Sequence, residues 1–196
     1  MKFSNTMQDK WNERYLKKNT PGDPCWVLDN NQHLLPEKGK SLDLACGLGA
    51  NALLLARLNL DSHAWDSSAV ALEKLDQFSK KQSTTIRLLE RDIEVSPPIE
   101  NSFDVIVVSQ FLHRPLFPAL ISALRPRGLL FYQTFHENKL SDKGPSSKEF
   151  LLTTGELLSL CSPLELVFYR EDARSGNLMD GLRDCSYYVG RKRNTN

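Results

Sequence analysis

Apolar positions along this chain switch between a helical and a strand period. Met7, Trp11 and Tyr15 recur every four residues beside Asp9, Lys10, Glu13 and Arg14, which predicts a short amphipathic helix near the N-terminus. The turn-rich stretch Thr20-Pro21-Gly22-Asp23-Pro24 ends it, and a second short helix is predicted over 25–35, closed by Pro36 and Gly39. Strands and helices then alternate. Strands are predicted over 41–45, 62–65, 84–89, 103–108 and 129–135, with helices over 51–58, 69–80 and 118–124 between them. Such alternation argues for a mostly parallel sheet covered by helices on both faces. The last third reads differently. Residues 136–148 are polar and predict a long surface loop, and Thr153 to Glu156 has the spacing of a capping box opening a helix. Two more strands, 164–169 and 186–189, are predicted to close the sheet as a hairpin and give it antiparallel character at one edge.

Composition narrows the class. The 196 residues carry 25 Lys+Arg against 24 Asp+Glu, a formal net charge of +1. Charges of both signs interleave, and the one basic run, Arg191-Lys192-Arg193, reads as a solvated end, so a nucleic-acid partner is not expected. The longest apolar stretch, 41–56, contains Asp43 and falls short of the ~20 residues that span a bilayer. The start of the chain has no signal-peptide run, and a cytoplasmic protein without a membrane partner is expected. Cys25, Cys46, Cys161 and Cys185 show neither CxxC nor metal-ligand spacing, so no metal site is expected.

In an open α/β sheet, ligands bind beyond the carboxyl ends of the strands, where strand order reverses. After the first strand, Asp43-Leu44-Ala45-Cys46-Gly47-Leu48-Gly49-Ala50-Asn51 offers two glycines for a close backbone approach, then a helix start with free N–H groups. Gly47-x-Gly49-x-x-Ala52 also fits a dinucleotide fingerprint, which keeps an NAD(P)-dependent oxidoreductase open as an alternative. Asp66, 19 residues beyond Gly47, can accept from both hydroxyls of a ribose; the competing reading makes it the N-cap of the following helix, a task open to Ser67 or Ser68 as well. Asp43 disfavours a pyrophosphate at close range but suits a ligand with an ammonium end. Asp92 can accept from an adenine amino group, or stand in solvent.

These residues, together with Arg91-Asp92-Ile93, Trp11-Asn12-Glu13-Arg14-Tyr15, 112–118 and 124–130, resemble successive motifs of class I S-adenosylmethionine-dependent methyltransferases, closest to the tellurite-resistance and thiopurine methyltransferase branch. The resemblance implies a Rossmann-like three-layer α/β sandwich, with a seven-stranded mostly parallel sheet and an antiparallel last strand. It implies one methyltransferase domain over 1–196, residues 1–39 forming a helical lid and 40–196 the core. By the same likeness Gly47 and Gly49 line the methionine part with Asn51 nearby, Asp66 holds the ribose, Ser67, Asp92 and Ile93 flank the adenine, Gln110 faces the cofactor, Trp11 and Tyr15 cover it, and Arg14 reaches its carboxylate. Simple core packing of a helix is the competing reading of Trp11 and Tyr15. Two departures stand out. Ala45 replaces the first glycine of the DxGxGxG pattern, so that backbone is expected not to need positive φ, and Arg127 occupies a turn position where glycine is common.

Displacement at a sulfonium methyl needs alignment more than an elaborate apparatus. His113 is the candidate base, with Arg114 and His136 as candidate substrate contacts. The expected acceptor is a small molecule such as a thiol or chalcogen oxyanion, handled by a monomer or weak homodimer. A protein that binds the cofactor without catalysis is a further alternative.

Overall fold

The computed structural model describes residues 5–194, and side chains from residue 8 onward, so the expected apolar contact of Met7 lies outside the described residues. The N-terminal helix α1 spans Asn5–Leu16, and α2 is only Trp26–Asp29. The helix predicted over 25–35 breaks at Asn30 and Asn31, where side-chain amides donate to Trp26 and Val27 carbonyls, and it resumes as a single 3-10 turn at Gln32–Leu34. Asparagine competes for the backbone in this way wherever a helix is short.

The sheet follows with β1 (Lys40–Leu44), α3 (Ala50–Arg57), β2 (Asp61–Asp66), α4 (Ala69–Lys81), β3 (Ile86–Glu90), β4 (Phe103–Ser109), α5 (Phe117–Ala123), β5 (Leu124–Phe135), α6 (Glu156–Leu160), β6 (Glu165–Arg170) and β7 (Cys185–Arg191). Its seven strands run in the order β3-β2-β1-β4-β5-β7-β6. All neighbours are parallel except those of β7, which is antiparallel to β5 and β6. This is the expected fold class. The four residues Arg125–Gly128 belong to β5, as an irregular stretch where its register with β4 shifts between Phe103 and Val105.

The core divides by strand alternation. Val105 and Val107 of β4 face α2 and α3 beside Val27, Leu28, Leu54 and Leu55, while Ile106 and Val108 face α5 and α6 beside Phe117, Leu120 and Leu157. Residues of β4 between Val105 and Val108 are fully buried, as a central parallel strand covered on both faces must be. Strand order reverses between β1 and β4, so the carboxyl ends of these two strands mark the ligand edge.

Candidate cofactor and acceptor site

Three left-handed residues shape the loop after β1: Ala45 (φ 54°), Gly47 (φ 53°) and Gly49 (φ 75°). The expectation for Ala45 is therefore corrected. Its backbone does adopt positive φ, and its single methyl group is small enough for the chain to carry the strain. Ala45→Gly is expected to raise unfolding stability by about 0.5–1 kcal/mol, the left-handed penalty less the added freedom of the unfolded chain, read as a shift in urea midpoint. At Gly47 an added Cβ would lie 2.8 Å from the Tyr15 hydroxyl, and at Gly49 it would collide with Leu75, so both sites exclude side chains.

Asp43 sits beneath this loop with no exposed surface. Its Oδ2 accepts from Ala52 N–H (3.1 Å) in the first turn of α3, and its Oδ1 from Asn51 Nδ2 (3.1 Å). Asn51 Nδ2 also lies 3.3 Å from Ser109 Oγ, and its Oδ1 accepts from Cys25 N–H at 2.8 Å. Both residues of the expected cofactor set thus work from below: they fix the loop to α3, the end of β4 and the segment before α2. Burial pushes the Asp43 carboxyl up to about 7, against the two donors that favour its charge.

Asp66 ends β2, 8% exposed. Its Oδ2 accepts from Gly47 N–H at 2.8 Å and its Oδ1 from Ser68 N–H at 2.9 Å. The N-cap of α4 is Ser68, whose hydroxyl accepts from Ala71 N–H. The competing role for Asp66 is therefore filled by a neighbour. A carboxylate has about four lone-pair sites, so two remain after these bonds. Burial pushes its pKa up, and the backbone donors oppose the rise.

Above the loop, Trp11 and Tyr15 stack with ring centroids 5.7 Å apart, and the Arg14 guanidinium lies 5.0 Å over the Trp11 ring. Trp11 is 36% exposed, so it does not serve as a core residue. Three contacts unread in the sequence hold α1 here. Ser68 Oγ donates to Asn12 Oδ1 (2.6 Å), Gln8 Nε2 donates to the Ser67 carbonyl (2.6 Å), and Lys74 Nζ donates to the carbonyls of Tyr15, Leu16 and Lys18 at the end of α1. A lysine at a helix C-terminus satisfies orphan carbonyls and complements the dipole. These partners lie more than fifty residues apart in sequence, and no local signal announces them.

Ile93 is buried, whereas Asp92 is partly exposed and caps its own turn through Glu94 N–H (3.0 Å). Gln110 projects into solvent from a left-handed backbone position (φ 55°). Its N–H donates to the Gln133 carbonyl, while the buried Gln133 side chain accepts from Val27 N–H at 3.0 Å. An amide inside the apolar run of β5 is the one sequence mark that Gln133 offered.

The acceptor candidates separate. His113 is partly exposed, its Nδ1 3.5 Å from Glu94 Oε1. Arg114 is not a free cation: it pairs with Glu156 (2.5 Å) and donates to the Glu149 and Leu151 carbonyls, which fastens the start of α6 to the end of β4. An anionic substrate would have to compete with these partners for its guanidinium. Glu156 also accepts from Thr153 N–H, completing half of the expected capping box, although the N-cap itself is Gly155. His136 is 1% exposed and not on a loop surface. Its Nδ1 accepts from Asn138 N–H, which puts the ring proton on Nε2, and its backbone extends the pairing of β5 with β7 through Asp184. Burial depresses its pKa, and its buried Nε2 has no hydrogen-bond partner in the structure.

Beyond β5 and β6 two loops form one wall. Asp184 accepts from Leu140 N–H, Ser141 N–H and the Ser141 hydroxyl, and Arg183 donates to carbonyls of Asp172, Ala173, Ser175, Asn177 and Asp180. Among the described residues no group of three or more His, Cys, Asp or Glu is placed to hold a metal, and no helix is long and apolar enough to cross a membrane.

Residues 42–128 match the family model described as a methyltransferase domain. TehB of Haemophilus influenzae (strain ATCC 51907 / DSM 11121 / KW20 / Rd), described as a probable S-adenosyl-L-methionine-dependent methyltransferase, is 30% identical over 121 residues, 60% of this chain and 40% of that protein. The chain thus spans less than half of the length of this curated relative. The crystal structure of TehB from H. influenzae superposes with a TM-score of 0.69 at 24% identity, covering 94% of this chain and 67% of the other. A TehB-like SAM-dependent methyltransferase from Corynebacterium glutamicum superposes at 0.66 with 18% identity, over 97% and 100% of the two chains. At these identities the superpositions establish the fold, and the sequence match adds a likeness over 121 residues. With the glycine loop, Asp66 and the seven-stranded sheet in these positions, residues 42–128 carry the likeness to the methyltransferase-domain family, and the fold of the chain is that of TehB-like structures.

Proposed function

We propose that this chain transfers the methyl group of S-adenosylmethionine to a small-molecule acceptor, a thiol, chalcogen oxyanion or similar soft nucleophile. The observation that carries the reading is Asp66: a buried carboxylate at the end of β2, oriented by the Gly47 and Ser68 amides, with lone pairs left for two ribose hydroxyls. When bound, the cofactor supplies a sulfonium-activated methyl group open to in-line displacement. The chain's own residues bind and align. The left-handed loop lets backbone amides approach the amino-acid end, Asp66 takes the ribose, and Ser67, Asp92 and Ile93 border the adenine. Trp11 and Tyr15 cover the site, exclude water, and hold the reacting groups close. Arg14 and Gln110 stand at its margin. A soft nucleophile ionised at neutral pH needs no protein base; for a protonated acceptor, His113 with Glu94 beside it is the available pair.

The oxidoreductase reading is disfavoured by Asp43. It already takes an amide in the first turn of α3, where a pyrophosphate would seek its donors. Thermal melting separates the two. S-adenosylmethionine at about 100 times its Kd is expected to add about 2.7 kcal/mol, a rise of about 5–10 °C for a chain of this size. A rise with NAD(P) and none with S-adenosylmethionine would overturn the proposal.

A further inference from the structure

At the opposite end of the sheet, where β5 begins and β7 ends, a cavity of about 330 Å³ is lined by Arg127, Glu165, Arg191, Lys192, Arg193 and Asn194. Its charge is unbalanced. Arg191 pairs with Glu165 at 2.8 Å. Lys192 is held by uncharged acceptors, Asn101 Oδ1 and the carbonyls of Ser122 and Leu124. Arg127 and Arg193 have no carboxylate partner among the described residues. Among the described residues four cations thus meet one carboxylate, an excess of three positive charges around a concave space.

The backbone makes the placement more telling. Arg127 adopts φ 67°, locked there by Arg127 N–H to the Lys192 carbonyl (2.9 Å) and Lys192 N–H to the Gly128 carbonyl (2.8 Å). Glycine would take that conformation without strain, whereas an arginine pays for its Cβ. The strained residue is therefore one of those that line the cationic cavity. Guanidinium groups bind oxyanions in bidentate geometry, and three unneutralised cations match a ligand with several negative charges.

We infer that this cavity binds a compact polyphosphate-type anion, at a site separate from the cofactor loop. The inference is independent of the methyl-transfer reading. Inorganic tripolyphosphate, titrated calorimetrically into the full chain at about 0.15 M salt, is the probe. Saturable one-to-one binding is expected, weakened at least tenfold by Arg127→Gly and by Arg193→Ala, while the S-adenosylmethionine melting shift stays unchanged. Arg127→Gly should also melt higher than the parent chain, which separates lost affinity from lost folding. Glu165→Gln, by removing the one carboxylate, should tighten binding several-fold. Absence of saturable binding, affinity unaffected by Arg127→Gly, or binding of an RNA or DNA oligonucleotide in place of tripolyphosphate would overturn the inference.

Discussion

Asp66→Ala is expected to weaken S-adenosylmethionine binding at least tenfold, with the cofactor-induced rise in melting temperature lost at concentrations that saturate the parent chain. A hydrogen bond to a charged acceptor is worth roughly 1.5–3 kcal/mol, and two ribose hydroxyls have one carboxylate to share. The change also frees the Gly47 and Ser68 amides that now donate to Asp66, so the loop loses its tie to the end of β2. Asp66→Asn keeps the shape and one acceptor oxygen, and should fall between the two. Measuring urea midpoints alongside calorimetric affinity tells a binding defect from a folding defect. Unchanged affinity in Asp66→Ala would reject the ribose role and with it the observation on which the functional reading stands.

Asp43→Ala should be the most damaging substitution for stability. It leaves Ala52 N–H and one Asn51 amide proton without acceptors in a fully buried place, a loss of about 2–4 kcal/mol at pH 5. Its dependence on pH is the sharper test. With the folded-state pKa at about 7 against a reference value of 3.8, the native chain holds a proton here that the unfolded chain has released. Parent stability should therefore fall as pH rises through the window from 3.8 to about 7, and flatten above it. The variant lacks that slope, so its deficit should shrink between pH 5 and pH 8. A deficit that grows with pH would mean that the loop stabilises the ionised carboxylate.

Much of this fold is legible in the chain because the apolar residues of a two-faced parallel sheet are nearly continuous. Phe103 to Val108 announces β4, and the flanking helices show their own period. Asp66 and Ser68 were legible for a local reason: an acid and a capping hydroxyl at a strand-to-helix junction. The unread parts are nonlocal or geometric. Lys74 reaches the end of α1, and Gln133 reaches Val27 across 106 positions, by contacts that only the folded chain creates. Ala45 shows the limit of reading conformation from residue type, since a turn closed by its neighbours can force a left-handed backbone on a residue that resists it. Arg114 and His136 looked chemical because their side chains can do chemistry. Their surroundings, Glu156 beside one and near-complete burial of the other, are set by the fold and not by residue type.

The central claim is methyl transfer to a small acceptor, and one measurement addresses it directly. The chain is incubated with methyl-labelled S-adenosylmethionine and a panel of thiols, chalcogen oxyanions and phenols, and label is followed into the small-molecule products with Asp66→Ala as the control. The account predicts label in at least one acceptor, an equal yield of S-adenosylhomocysteine, and a rate at least tenfold lower for the control at subsaturating cofactor. Cofactor binding with no label leaving the sulfonium for any acceptor would contradict it, and would make this chain a binding protein that kept the fold.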